Sequence, residues 1–241
     1  MLAAGLGKRM NSGLPKVLHC LGGKPLFFYP LEIAWGLNPK RIAIVVGHGA
    51  EAVKRSFVDE DISWVLQQEQ LGTGHAVGCT RDIFRDFSGD LLILSGDVPF
   101  ISQKILLRLL SQHREQETVL TFLTASLDEP AGYGRVLRDA QAGLHGIVEE
   151  RDASAEQRAI REINAGIYAA SPRFLFPALE GLSNQNQQRE YYLPDVVGIA
   201  LKNRQRVGTV QAEDPLEILG VNTREELAIM EKTLQERINR K

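Results

Sequence analysis

The stretch Leu2-Ala3-Ala4-Gly5-Leu6-Gly7-Lys8-Arg9-Met10, closed by Leu14-Pro15-Lys16-Val17-Leu18, decides how the rest of the chain is read. Its glycines let backbone N–H groups approach an anion, because no Cβ stands in the way. Arg9 brings a planar, many-donor cation to that bend, and Lys16 a compact one. Gly5-Leu6-Gly7 alone would suit any strand-to-helix turn. With Pro15-Lys16 at this distance from Arg9, the stretch reads as a cradle for the phosphates of a nucleoside triphosphate. It is neither a Walker loop nor a G-x-G-x-x-G fingerprint.

Beyond the cradle, strand-like and helix-like segments alternate. Ile42-Ala43-Ile44-Val45-Val46 is a continuous apolar run stopped by Gly47-His48-Gly49, the pattern of a strand buried on both faces. Ser63-Trp64-Val65-Leu66 and Leu91-Leu92-Ile93-Leu94 repeat it. Helix-like stretches fall at 25–36, 50–57, 74–85 and 102–116, with Pro25 placed for a first helical turn and Pro30 expected to kink or interrupt the rest of that helix. This alternation predicts an α/β fold on a doubly wound, mostly parallel sheet, whose ligands bind outside the carboxyl ends of the strands. The second half is less regular, with strands expected at 118–126, 132–137, 144–148 and 163–169 and helices at 154–161, 172–182 and 191–203. Thr223-Arg224-Glu225-Glu226 fits a capping box opening a long helix to about residue 239. No internal repeat and no linker rich in Gly, Ser or Pro divides the chain.

The composition narrows the class. The 241 residues suffice for a sizeable core, and 44% hydrophobic with 24% charged residues is ordinary for a globular protein. A net charge of −2 gives no electrostatic case for nucleic acid or an anionic membrane as partner. Cys20 and Cys79 lack metal-like spacing and read as reduced thiols. No apolar run approaches a membrane span, and Lys8 interrupts any signal-type segment, so a cytoplasmic protein is expected.

Three further clusters could carry chemistry. Asp97, in Ser95-Gly96-Asp97-Val98-Pro99, follows an apolar strand; it could hold Mg²⁺ on a phosphate or simply form a turn. Gln67 in Gln67-Gln68-Glu69-Gln70-Leu71-Gly72-Thr73-Gly74-His75-Ala76 offers donor and acceptor to a base edge, or belongs to a polar loop capping a helix. His75 reads as a packed helix residue rather than a catalytic base. Gly132-Tyr133-Gly134-Arg135, Glu149 and Glu162-Ile163-Asn164-Ala165-Gly166 combine permissive backbone with partners for sugar hydroxyls, although Glu149-Glu150-Arg151-Asp152 also fits a solvated charge run.

Taken together, L-A-A-G-x-G-x-R-M…L-P-K-V-L-H and these clusters resemble the sugar-1-phosphate nucleotidyltransferases of the MobA-like NTP transferase family. The likeness is nearest to the uridylyltransferase domain of the bacterial bifunctional uridylyltransferase/acetyltransferases that make UDP-N-acetylglucosamine, and it runs nearly end to end. It implies a nucleotidyltransferase domain over 1–222 with a small β-rich sugar-binding part, and a helix over 223–241 that in such proteins leads to a β-helix. It implies UTP held by Leu2, Ala3, Ala4, Gly5, Lys16, Gln67, Gly72 and Thr73, with Arg9 and Lys16 catalytic. It implies Mg²⁺ on Asp97 and Asn222, and N-acetylglucosamine 1-phosphate on Gly134, Glu149 and Asn164. Glu190-Tyr191-Tyr192 also matches, without an implied ligand contact. Ser95 stands where such proteins often carry tyrosine, which alters one wall of the sugar pocket. The rivals are a transferase using another base or sugar, and a nucleotide-binding regulatory domain without catalysis.

Two expectations concern the ends of the chain. No β-helix repeat comes after 223–239, so no acetyltransferase activity is expected, and a monomer or weak oligomer is. The resemblance also places a buried apolar strand before Leu2, whose loss would forfeit on the order of 6–12 kcal/mol. The working protein is therefore expected to begin upstream of Met1, with the 241-residue form poorly soluble and nearly inactive.

Overall fold

Apolar runs form most strands of the sheet, and helices with apolar faces and polar loops connect them. The computed structural model describes residues 1–57 and 61–239. In chain order these contain β1 (Leu2–Ala3), the hairpin β2 (Cys20–Leu21) and β3 (Lys24–Pro25), α1 (Phe28–Gly36), β4 (Ile42–Val46), α2 (Ala50–Ser56), β5 (Ile62–Leu66), α3 (Thr73–Gly78), α4 (Arg81–Phe84), β6 (Leu91–Ile93) and α5 (Gln103–Glu115). There follow β7 (Leu120–Ser126), β8 (Gly134–Arg138), β9 (Leu144–Val148), α6 (Ala155–Arg158), β10 (Glu162–Ala170), α7 (Pro172–Glu180), α8 (Asp195–Lys202), β11 (Val207–Gln211) and α9 (Arg224–Asn239).

β4 lies between β1 and β5 with both pairings parallel, and Leu2 bridges in parallel to Ser95 just past β6. Alternate residues of β4 serve opposite faces, as the twofold strand period requires. Ile44 and Val46 pack with Leu31 of α1 and Val53 of α2, whereas Val45 packs with Ala76 of α3. The doubly wound, parallel arrangement expected from the alternation is therefore present across β5, β4, β1 and the end of β6.

The second half departs from that scheme. β10 forks the sheet: Tyr168–Ala170 pairs antiparallel with β6, while Ile163 and Asn164 pair antiparallel with β8. Between the two branches the register slips, and Gly166 turns through a φ of 72°. Few side chains adopt that conformation without strain. β7 runs antiparallel along the other edge of β10, and β11 extends the sheet parallel to β7. β11 was not evident in the sequence, because its five residues carry only two valines and one glycine among polar neighbours.

Several local expectations change. Pro25 lies in β3 rather than in a helix. Pro30 is the third residue of α1, where its missing N–H has no intrahelical acceptor, so it begins the helix without kinking it. The helix expected at 74–85 is two short helices, α3 and α4, and that at 191–203 starts only at Asp195, after Pro194. The capping box at Thr223 is formed: Glu226 N–H donates to Thr223 Oγ1 at 3.1 Å and Thr223 N–H to Glu226 Oε2 at 3.1 Å. α9 packs Met230 against Leu21, Leu26 and Phe100. Residues 240 and 241 of the expected terminal helix lie outside the described residues. No helix among the described residues is long and apolar enough to cross a membrane.

At the sheet's centre, Leu2 N–H donates to Leu94 O at 2.8 Å and Val45 N–H to Met1 O at 2.9 Å. The Met1 ammonium donates to Ala43 O at 2.7 Å, and burial lowers its pKa to about 5. Beside it, between β4 and β6, lies an apolar cavity of about 430 Å³ lined in part by Ala43, Val45, Leu91 and Ile93.

Candidate active site

The fork in β10 creates the site. Where β6 and β8 separate, a cavity of about 200 Å³ opens, and it brings together Leu2, Arg9, Thr73, Asp97, Gly134, Glu149, Asn164 and Asn222. These positions are scattered across the chain, on strands, on the loops that follow them and at helix starts. Ala3, Ala4, Gly5, Lys16, Gln67 and Gly72 do not line this cavity. The side chains of Ala3 and Ala4 are buried in the core.

At one end lies the cation cluster. Gly7 has a φ of 58°, and a Cβ there would fall 2.8 Å from the Cβ of Lys16, so the loop folds back on the Lys16 backbone only with glycine in place. Buried Met10 anchors the bend, and Arg224 of α9 donates to Met10 O at 3.0 Å and Asn11 O at 3.1 Å. Lys16 Nζ pairs with Asp97 Oδ2 and donates to Asn222 Oδ1 at 3.0 Å. The loop carrying Asn222 is tied to Asp97 by Val221 N–H donating to Asp97 O at 2.9 Å. Tyr133 Oη accepts from Gly220 N–H at 3.3 Å, and burial pushes its pKa up to about 12, which keeps it a neutral phenol.

This arrangement fits a divalent cation. A carboxylate oxygen and an amide oxygen converge on one positive charge, here the Lys16 ammonium, and both are hard donors suited to Mg²⁺. Among the described residues no group of three or more His, Cys, Asp or Glu could hold a metal. Asp97 and Asn222 would form a sparse shell that waters and phosphates complete.

At the second corner, Gln67 directly follows β5 and is 3% exposed. Its N–H donates to Val46 O at 2.8 Å, and its Nε2 reaches Gly72 O and His75 Nδ1, each at 3.0 Å. Gly72 has a φ of 103°, and a Cβ there would lie 2.7 Å from Tyr191 O. Tyr191 N–H donates to Leu71 O and Tyr191 O accepts from Gly74 N–H, both at 2.8 Å, while Leu193 N–H donates to Thr73 Oγ1 at 3.0 Å. Glu190-Tyr191-Tyr192 thus supports the 71–74 loop through backbone, and Thr73 links that loop to the cavity.

The opposite end is polar and lined by an amide and a carboxyl group. Asn164 is buried; its Nδ2 donates to Tyr168 Oη at 2.7 Å and its Oδ1 accepts from Gly166 N–H at 3.2 Å. A Cβ on Gly134 would lie 3.2 Å from Glu149 Oε1, so this glycine leaves room for the carboxyl. Burial first, then the neighbouring carboxylates Asp195, Asp152 and Glu190, raise Glu149 to about 7, with Arg135 opposing. Burial and Asp152 raise Asp195 to about 6. Glu149 is therefore no solvated charge run. Ser95 lines the cavity opposite Gly166, with its Oγ 3.6 Å from where a Gly166 Cβ would stand.

The buried carboxyl makes stability depend on pH. Below about 4.5 Glu149 is protonated in both folded and unfolded chains, and its contribution to stability is fully present. That contribution is lost as pH rises through about 7, because only the folded state must ionise a buried group. Glu149→Gln should remove this loss, so the variant should gain on the parent by up to about 3 kcal/mol across that window. Thermal midpoints measured from pH 4.5 to 8 check this. A difference that stays flat across the window contradicts it.

Sequence reading missed Tyr168 and Asp195, and gave Tyr133 and Arg224 no role of their own in the site. For Tyr168 a signal existed: in a strand over 163–169 the even positions Asn164, Gly166 and Tyr168 share a face. Arg224 had none, since its role is long-range contact with the 10–11 backbone.

The MobA-like NTP transferase domain family matches residues 1–190. The chain is 48% identical over 239 residues to the bifunctional protein GlmU of Syntrophotalea carbinolica, covering 99% of this chain and 51% of that protein. It is 49% identical over 238 residues to the GlmU of Thermus thermophilus, covering 99% of this chain and 52% of that one. The chain thus spans about half the length of the curated relatives it matches. Among solved structures, a UDP-glucose pyrophosphorylase complexed with UDP-glucose superposes with a TM-score of 0.80, covering 98% of this chain and 97% of that one. At 17% identity that likeness speaks to the fold.

Proposed function

The chain belongs to the MobA-like NTP transferase family, and from that premise we propose that it joins UTP to N-acetylglucosamine 1-phosphate, forming UDP-N-acetylglucosamine and pyrophosphate. The observation that carries the proposal is the asymmetry of the cavity. Arg9, and Lys16 gripping Asp97 and Asn222, make one end suited to phosphates, and buried Asn164 with Glu149, whose carboxyl burial raises to about 7, makes the other suited to hydroxyl and acetamido groups. The similarity to GlmU proteins supports the choice of sugar, and the Gln67–Thr73 corner supports a pyrimidine.

A phosphate oxygen of the sugar phosphate attacks the α-phosphorus of UTP; the new P–O bond forms as the bond to the α–β bridging oxygen breaks, and pyrophosphate departs with that electron pair. The nucleophile is already ionised near neutral pH, so no side chain need take a proton and no covalent enzyme intermediate forms. Catalysis is then positioning and charge neutralisation. Lys16 leaves Asp97 and Asn222 for the phosphates, and Arg9, which lines the same cavity, adds a second cation. Mg²⁺ held by Asp97 and Asn222 would supply further neutralisation of phosphate charge. Buried Asn164 and half-buried Glu149 orient the sugar. A reaction that draws on UTP suits a cytoplasmic protein, and its product is of the class used for cell-wall precursors.

Pyrophosphate release measured across the four NTPs with several sugar 1-phosphates tests the proposal. Release is expected with UTP and N-acetylglucosamine 1-phosphate, at least tenfold above any other pair. Equal or greater release with another base or sugar would assign a different transferase, and no release with any pair would favour a binding domain.

A further inference from the structure

We propose that His75 is a positioning residue that locks the side-chain amide of Gln67 so that its oxygen faces the base, and that this lock sets a preference for uracil over cytosine. The inference rests on the uridylyl reading above. Gly72 O can only accept, so the amide nitrogen of Gln67 must be the atom 3.0 Å away. The second hydrogen of that nitrogen points to His75 Nδ1, also at 3.0 Å. Nδ1 then acts as an acceptor, which places the ring proton on Nε2, and Nε2 lies 3.9 Å from Cys79 Sγ. Burial raises the Cys79 pKa and keeps its sulfur a thiol, a weak acceptor suited to that N–H.

Both amide hydrogens of Gln67 are thereby used inside the protein, and no hydrogen bond among the described residues engages its Oε1. The group left to face a ligand is a carbonyl oxygen. Uracil presents an N–H at position 3, which this oxygen accepts, whereas cytosine presents a lone pair there, which it repels. Gly72 and His75 are three residues apart at the start of α3, so they approach one side chain from the same face. Turning the amide over would lose both hydrogen bonds and set two oxygens against each other. Without the imidazole the penalty falls to the Gly72 contact alone.

The test compares His75→Phe, which keeps a ring without the acceptor, with His75→Asn, whose Oδ1 can accept in place of Nδ1. Values of kcat and KM are measured for UTP and CTP at fixed sugar phosphate. His75→Phe should raise KM for UTP about tenfold with kcat within about twofold, and narrow the UTP:CTP ratio of kcat/KM at least tenfold. His75→Asn should restore most of that ratio. An unchanged ratio in His75→Phe overturns the inference while leaving the uridylyl reading intact. A parent chain that does not prefer UTP overturns both. Independently of activity, ¹⁵N spectra of the parent should show the His75 proton on Nε2, and a neutral ring protonated on Nδ1 would overturn the lock whether or not His75→Phe folds.

Discussion

Asp97→Asn should lower kcat by about 10²–10³-fold and leave the thermal midpoint within a few degrees of the parent. That loss corresponds to about 3–4 kcal/mol of barrier, the scale of one charged group at a phosphate-transfer centre. The carboxylate is the negative charge that Lys16 pairs with, and asparagine keeps its shape while removing that charge. The fold should tolerate the change, because the backbone of residue 97 still accepts from Val221 N–H and the side chain lines the cavity rather than the core. Turnover followed over a Mg²⁺ series, with a melt monitored by circular dichroism, separates the two effects. Near-parental kcat at limiting Mg²⁺ would remove Asp97 from the proposed metal site.

Lys16→Ala should be comparably severe, with kcat falling at least about 10²-fold, since transition-state charge on the phosphates is left uncompensated. A second consequence is measurable without turnover. The ammonium occupies the position on which Asp97 Oδ2 and Asn222 Oδ1 converge, so it competes with a divalent ion for the same oxygens. Its removal should tighten Mn²⁺ binding to the nucleotide-free protein by about tenfold or more, read by electron paramagnetic resonance. If only the KM for UTP rises, Lys16 is a docking cation. If Mn²⁺ affinity does not change, the two oxygens do not form the metal cradle.

The parallel half of the fold was legible because its signals are local. Ile42–Val46 is apolar throughout and ends in Gly47-His48-Gly49, which marks a strand covered on both faces. The fork in β10 was not, since it depends on which strands claim each half of one nine-residue run. Residues named from the sequence as Asp97, Asn222, Gly134, Glu149 and Asn164 do meet in one cavity, but resemblance supplied that grouping and spacing alone did not. The raised pKa of Glu149 was invisible in Glu149-Glu150-Arg151-Asp152, where a charge run reads as solvated until burial is known. Likewise, His75 reads as a packed helix residue until its ring is seen beside Gln67.

The central claim is a single in-line displacement at the α-phosphorus of UTP in the cavity at the fork of β10. Its most direct test uses the Sp diastereomer of uridine 5′-(1-thiotriphosphate) with N-acetylglucosamine 1-phosphate, followed by ³¹P analysis of the α-phosphorus in the product. Inverted configuration with one equivalent of pyrophosphate is the predicted result; retained configuration, or no transfer of the thiophosphoryl uridine to the sugar phosphate, would contradict it.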